Sequence, residues 1–308
     1  MNMISQLHKT LDSGTFTVTA ELTLPDSSEK DELVNTALKL SPYCDALNVT
    51  DATSAIPHFS SLAAASILLD NDIEPVMQIS ARDRNRIAIQ GDVLGAHSLG
   101  IRNIFCITGD AVIAGDHPDA KPVFDLDSIS MLAAINKMAK NGSFMSGRKI
   151  TPKPTLFLGA AANPFAPPHD YRPHRTVKKW KAGASFFQTQ FCFDTKAMER
   201  FSEKLVELSD GKPPPVLVGL GPLKSSRMAK WLRDNIAGVS VPDQIIERMD
   251  KYPRKEQAQV GLEISKETIN DLKSIQGVAG IHIMAFKWEE AVKEIVEDSG
   301  LAKHKRLP

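Results

Sequence analysis

The side chains able to do chemistry in this sequence stand singly rather than in clusters. Glu21 lies in FTVTAELTL, a lone carboxylate among apolar and Thr residues. Burial in such a segment disfavours the ionised form, raises the pKa and suits the group to deliver a proton. A structural Glu paired with an internal Lys or Arg is the competing reading. Asp110 follows Gly109 in the turn ITGD, where an Asx turn or a helix cap competes with a ligand contact. Gln188 and Gln190 in FFQTQF point to one face, because strand side chains alternate with period two. A primary amide offers both donor and acceptor to the edge of a heterocycle, or it satisfies its neighbours. Arg172, Arg175 and Lys179 share one side of a helical stretch, with Lys178 and Lys181 beside them. That side is either solvated or, if it faces a site, a place for phosphates.

Other chemistry is missing. The eight His and three Cys (Cys44, Cys106 and Cys192) form no HxH, HExxH or CxxC, which argues against a metal centre and against a disulfide framework. GLGPL (219–223) lacks the GK[ST] ending of a phosphate loop, and no GxSxG nucleophile elbow occurs.

These residues need a frame to bring them together. Apolar runs at 16–22, 45–50, 74–80, 103–108, 155–161, 185–191, 215–220 and 280–286 alternate with stretches of helical period at 28–40, 58–69, 83–99, 127–140, 171–182, 194–208, 225–235 and 288–297. Strands that are apolar on both faces belong in a buried parallel sheet, and eight successive β-α units close most naturally into a (β/α)8 TIM barrel. The pattern predicts one such domain over 1–308, with extra helices around 243–274 between the seventh and eighth strands. A doubly wound open sheet is the alternative, but no GxGxxG turn follows the first strand. In a barrel the site forms at the C-terminal strand ends. Glu21, Thr50-Asp51, Gln78, Ser80, Gly109-Asp110, Asn163, Gln190 and the turn at 219–222 all fall there. The long loop at 109–124 belongs to the same mouth.

Composition bounds the partners. The chain has 308 residues, and its 37 Lys+Arg balance 37 Asp+Glu, which removes a general electrostatic drive toward nucleic acid or anionic membrane. No signal peptide opens it, and apolar runs such as LAAASILL fall short of the roughly 18 residues of a membrane helix. The expectation is a soluble cytoplasmic protein with reduced, buried cysteines.

Several segments, in register, resemble the methylenetetrahydrofolate reductase family over roughly 15–286: TAELTLP, DALNVTD, PVMQISARDRNR, ITGD with GDHPDAKPVFDLDSI, LGAAANPF, KKWKAGASFFQTQFCFD and VGLGPL. Members are flavin-dependent (β/α)8 barrels that reduce methylenetetrahydrofolate to methyltetrahydrofolate. The resemblance implies that Glu21 is the catalytic acid, protonating N10 of the folate so that its imidazolidine ring opens to an iminium at N5. It implies that Asp110 stands beside flavin and pterin, and that Gln190, with Gln188, binds the pterin. It puts Thr50, Gln78, Thr108, Gly109, Asn163, Arg172, Arg175 and Lys179 around the flavin, with the cations near its phosphates. FAD or FMN as cofactor, NADH or NADPH as co-substrate, a homo-oligomer and no C-terminal regulatory domain are further implications. Departures from many bacterial members are Thr108 in place of Arg, Gln78 in place of His and Asn163 in place of Tyr, and they bear on which flavin is held and how tightly. A barrel that binds folate as a methyl-group carrier or transferase partner, without redox chemistry, is the rival; a buried acid at position 21 argues against it.

Overall fold

The computed structural model describes residues 4–236 and 238–301. Its strands are β1 (Thr17–Leu22), β2 (Ala46–Val49), β3 (Pro75–Ser80), β4 (Asn103–Ile107), β5 (Phe157–Ala162), β6 (Phe186–Phe191), β7 (Val216–Leu220) and β8 (Val278–Ile283). They pair in parallel in chain order, and β8 returns to pair with β1, so the sheet closes. The (β/α)8 barrel predicted from the alternation is the observed architecture, and the open sheet is not.

The helices are α1 (Gln6–Asp12), α2 (Lys30–Leu40), α3 (Ser61–Leu69), α4 (Arg86–Ser98), α5 (Ser128–Asn141), α6 (Tyr171–Ala182), α7 (Thr195–Leu208), α8 (Ser226–Asn235), α9 (Asp243–Asp250), α10 (Gln257–Leu272) and α11 (Glu289–Asp298). The excursion expected around 243–274 resolves into α9 and α10. Outward-facing strand residues such as Val18, Leu47, Met77 and Ile281 pack with the apolar stripes of the helices to form the main core. Asn85 caps α4 by accepting from the Ile87 and Ala88 amides, and Asp127 with Ser130 forms a capping box at α5.

Inside the barrel, side chains stack in layers. The floor, at the N-terminal strand ends, is apolar: Ala46, Val76, Phe105, Phe157, Phe186 and Leu217. The sequence periodicity does not mark α1, yet this helix closes that floor. Leu7 is fully buried among those residues, and the ring of His8 stacks on Phe157 at 4.5 Å. Glu74 Oε1 accepts from the amides of Gln6 and Leu7 at 3.1 and 3.4 Å, satisfying donors that the first turn of a helix leaves free. Above the floor the interior becomes polar, and the mouth opens at the other end.

Candidate active site

Glu21 faces inward from β1, two residues above Thr19 and in register with Asn48 of β2. Its carboxylate has no hydrogen bond or ion pair among the described residues, so the reading of a Glu paired with an internal cation does not hold. Burial without compensation raises its pKa from 4.5 to about 7.

Beneath it lies a layer of hydrogen-bonded polar side chains. Asn48 Nδ2 donates to Gln188 Oε1 at 2.6 Å, and Gln188 Nε2 donates back to Asn48 Oδ1 at 2.9 Å. Thr19 Oγ1 lies 3.2 Å from the same Nε2 and 3.0 Å from His282 Nδ1. Burial drives the His282 pKa down from 6.5 to about 3, so this imidazole stays neutral. Gln188, expected at the substrate, is placed in this layer. It is 3% exposed and its amide is engaged with Asn48 one layer below the mouth.

Gln190 stands at the mouth, half-buried, where the β6–β7 pairing shifts register between Gln188 and Phe191. A bulge of this kind re-aims a side chain. Its Oε1 accepts from the Phe191 amide at 3.0 Å, which leaves the side-chain NH2 without a partner among the described residues. Thr50 and Gln78, both buried at the ends of β2 and β3, also have side chains with no hydrogen-bond partner among the described residues. Asp110 is exposed on the β4–α5 loop, and its Oδ2 accepts from the Ser54 amide at 3.2 Å. Gly109 before it has φ +93, and a Cβ there would lie 2.3 Å from Ser80 Oγ and 2.9 Å from Arg82 Cβ. Only glycine meets both conditions.

Other expected flavin contacts are placed differently. Thr108 Oγ1 accepts from the Ser128 amide at 3.2 Å, holding the start of α5 rather than facing the mouth. Asn163, half-buried at the end of β5, accepts from the Phe165 amide at 3.2 Å. Arg172, Arg175 and Lys179 do not present one basic face. Arg172 turns back to the Pro-rich β5–α6 loop, donating to the Ala166 carbonyl at 2.8 Å and to that of Pro167, because the prolines leave that loop poor in N–H donors. Lys179 is 8% exposed and donates to the Ala161 carbonyl at 2.6 Å. Burial, and then the nearby Arg175, lower its pKa to about 8. Arg175 remains half-buried near Asp127.

Three residues at or under the mouth escape the sequence reading: His282, Arg82 and Arg84. Arg84 grips the β2-end Asp51 with Nη1 and Nη2 at 2.6 and 3.2 Å while Nε reaches Asp92 at 2.9 Å. Asp51 also accepts from the Ser80 amide at 2.7 Å, locking the β2 and β3 ends together. The signal was a charged run, RDRNR, placed directly after a strand. A cavity of about 940 Å³ opens at the opposite, N-terminal end, beside His8, Phe157 and Trp180, away from these groups. Among the described residues no group of three or more His, Cys, Asp or Glu is disposed to hold a metal ion, and no helix is long and apolar enough to cross a membrane.

Comparison with known proteins fits this geometry. The profile of the family described as methylenetetrahydrofolate reductase matches residues 6–300. A probable methylenetetrahydrofolate reductase (NADPH) of Caenorhabditis elegans is 23% identical over 265 residues, covering 84% of this chain and 36% of that protein. Methylenetetrahydrofolate reductase 2 of Schizosaccharomyces pombe is 25% identical over 222 residues, covering 67% of this chain and 32% of that protein. The chain therefore spans about a third of the length of these curated relatives. Among solved structures, an uncharacterized Clostridium thermocellum protein that binds two copies of 5-methyl-5,6,7,8-tetrahydrofolic acid aligns with TM-score 0.67 at 16% identity, over 96% of this chain and 98% of that one. DmoA from Hyphomicrobium sulfonivorans aligns with TM-score 0.56 at 10% identity, over 95% and 89%. Likeness at such identities speaks to fold. The profile, matching nearly end to end, speaks to descent: this chain belongs to the methylenetetrahydrofolate reductase family.

Proposed function

We propose that the protein is a flavin-dependent 5,10-methylenetetrahydrofolate reductase, taking hydride from NADH or NADPH and yielding 5-methyltetrahydrofolate. The observation that carries this reading is Glu21: a carboxyl with no partner among the described residues, near the barrel mouth, whose pKa is raised to about 7. Around it, the free amide NH2 of Gln190, the side chains of Gln78 and Thr50 and the carboxylate of Asp110 supply donors and acceptors that suit the edges of planar heterocycles. A flavin, FAD or FMN, bound there supplies the relay of hydride between nicotinamide and folate. Arg175, half-buried beside Asp127 and Tyr171, is the cation of the three whose charge is not spent on a backbone carbonyl, and it is assigned to the flavin phosphates. The name of the nematode relative supports NADPH as the reductant.

The protein's own part is positioning and proton delivery. Gln190 and Asp110 orient the pterin. Glu21, with its pKa raised to about 7, is still protonated in a large fraction of molecules near neutral pH and passes that proton to N10 of the folate, which opens the imidazolidine ring to the iminium that accepts hydride. His282, neutral and held by Thr19, cannot form an ion pair that would strip Glu21 of that proton.

Glu21→Gln tests the assignment. In stopped-flow absorbance, reduction of bound flavin by the nicotinamide is expected to persist while folate-dependent reoxidation stops. If both half-reactions survive, Glu21 is not the acid. A purified protein that carries no flavin and takes up neither FAD nor FMN would favour the non-redox folate carrier.

A further inference from the structure

The segment SARDRNR (80–86) holds a geometry that the reductase reading leaves unused. Arg82, just beyond β3, is 2% exposed. Its Nε and Nη2 donate to the two carboxylate oxygens of Asp83 at 2.8 and 2.7 Å; Nη2 also donates to the Ala52 carbonyl at 3.1 Å, and Nη1 to the Asp110 carbonyl at 3.4 Å. The loops after β2, β3 and β4 thus meet on one guanidinium.

The loop after β2 needs holding. Ala52, Ser54 and Ala55 have φ of 48, 57 and 58, a left-handed backbone that side chains with a Cβ resist. Each is met from a neighbouring loop. The Ala52 carbonyl takes the Arg82 bond, and the Ser54 amide donates to Asp110 Oδ2 at 3.2 Å. The Ala55 carbonyl lies against Gly115, where a Cβ would come within 2.0 Å of its oxygen. The far end of the β4–α5 loop is tied to the same segment. The Val123 amide donates to the Arg82 carbonyl at 2.7 Å, and Asp125 accepts from the Arg86 amide and Nε at 2.9 and 2.8 Å.

We propose that Arg82 is the positioning residue of the candidate site: it clamps the left-handed β2–α3 loop against the β4–α5 loop and so fixes where the Asp110 carboxylate stands. A lysine there keeps the charge but loses the planar fork, so it cannot grip both Asp83 oxygens while reaching the two separate carbonyls from different nitrogens as Arg82 does. The inference rests on the reading of Asp110 as a ligand contact, and its test separates the two.

Amide hydrogen exchange on the full chain, without ligand, reads the clamp directly. Arg82→Gln is expected to speed exchange over 52–56 and 109–115 by about tenfold or more, with peptides from the β strands unchanged and Arg82→Lys intermediate. Equal rates in those loops, or acceleration spread over the whole barrel, overturn the proposal; should Arg82→Gln not fold, Arg82→Lys carries the same comparison. A flavin titration then gives the coupling. Arg82→Gln and Asp110→Ala are each expected to weaken binding by about tenfold, and the double variant no more than Asp110→Ala alone. Losses that simply multiply mean that Arg82 does not act through Asp110. Wild-type protein that binds no flavin, with loops that still loosen in Arg82→Gln, removes the reductase reading and leaves the clamp.

Discussion

Two titratable groups inside the barrel, the half-buried Glu21 and the buried His282, pull stability in opposite directions with pH. Glu21 is protonated more readily in the folded chain than in the unfolded one, its pKa raised from 4.5 to about 7. Between those values the folded state binds more protons, so stability falls as pH rises, by about 3 kcal/mol across the window. His282 has its pKa lowered from 6.5 to about 3, so the unfolded state binds more protons there and stability falls as pH drops from 6.5 toward 3. Glu21→Gln removes the first term alone. In urea titrations from pH 5 to 8.5 the variant is expected to gain on wild type steadily, reaching about 3 kcal/mol above pH 7.5. A constant difference across that range would mean that the carboxyl is not raised. The same ionisation predicts that folate reduction slows as pH climbs through about 7, whereas reduction of the flavin by nicotinamide does not share that limb. A residue that weakens the fold where it works is the usual trade between stability and activity.

At the scale of elements, the turn from β4 into its loop leaves no room for a side chain at Gly109. Gly109 and Gly147 have nearly the same φ, +93 and +91, but a Cβ at Gly147 meets nothing within 4 Å while one at Gly109 meets Ser80 and Arg82. Gly147→Ala is therefore expected to cost about 1 kcal/mol, the conformational part alone, and Gly109→Ala about 2–4 kcal/mol, with loss of ligand binding. Paired denaturation curves check the difference. Elements of this kind were largely legible in the sequence: the eight strands and the helices after them show as mostly apolar runs and helical periods, because a parallel sheet is covered on both faces, even though its inward face here turns polar above the floor. What periodicity conveys is which face a residue takes. Depth along the barrel axis is set by strand tilt and register, which come from pairing far away in sequence. Gln188 and Gln190 thus read alike although one is interior support and the other stands at the mouth. Arg172 and Lys179 share a helix side, yet a nearby run of prolines draws one toward its carbonyls and burial encloses the other. Helix α1 was invisible because its seven residues are too few to display a period.

For the whole molecule, the barrel interior carries its polar groups toward one end and an apolar floor covered by α1 at the other, with the surface cavity lying outside that floor. Leu7 is packed against floor residues from several strands. Leu7→Ala is expected to lose about 3 kcal/mol of stability through the cavity it leaves, while flavin and folate affinities stay as they were. Denaturation read beside ligand titration checks both halves; affinities that fall in step with stability would show that the two ends are coupled. Closure of the sheet also sets an order in time. β1 finds its first neighbour in β2, but its other edge pairs with β8, whose last residue is Ile283. At ribosomal speeds of about 5–20 residues per second, that edge waits roughly 13–52 s for its partner to be made. Throughout that interval the nascent chain carries an open, apolar strand edge, so shielding it is a task for whatever meets the chain at the exit tunnel.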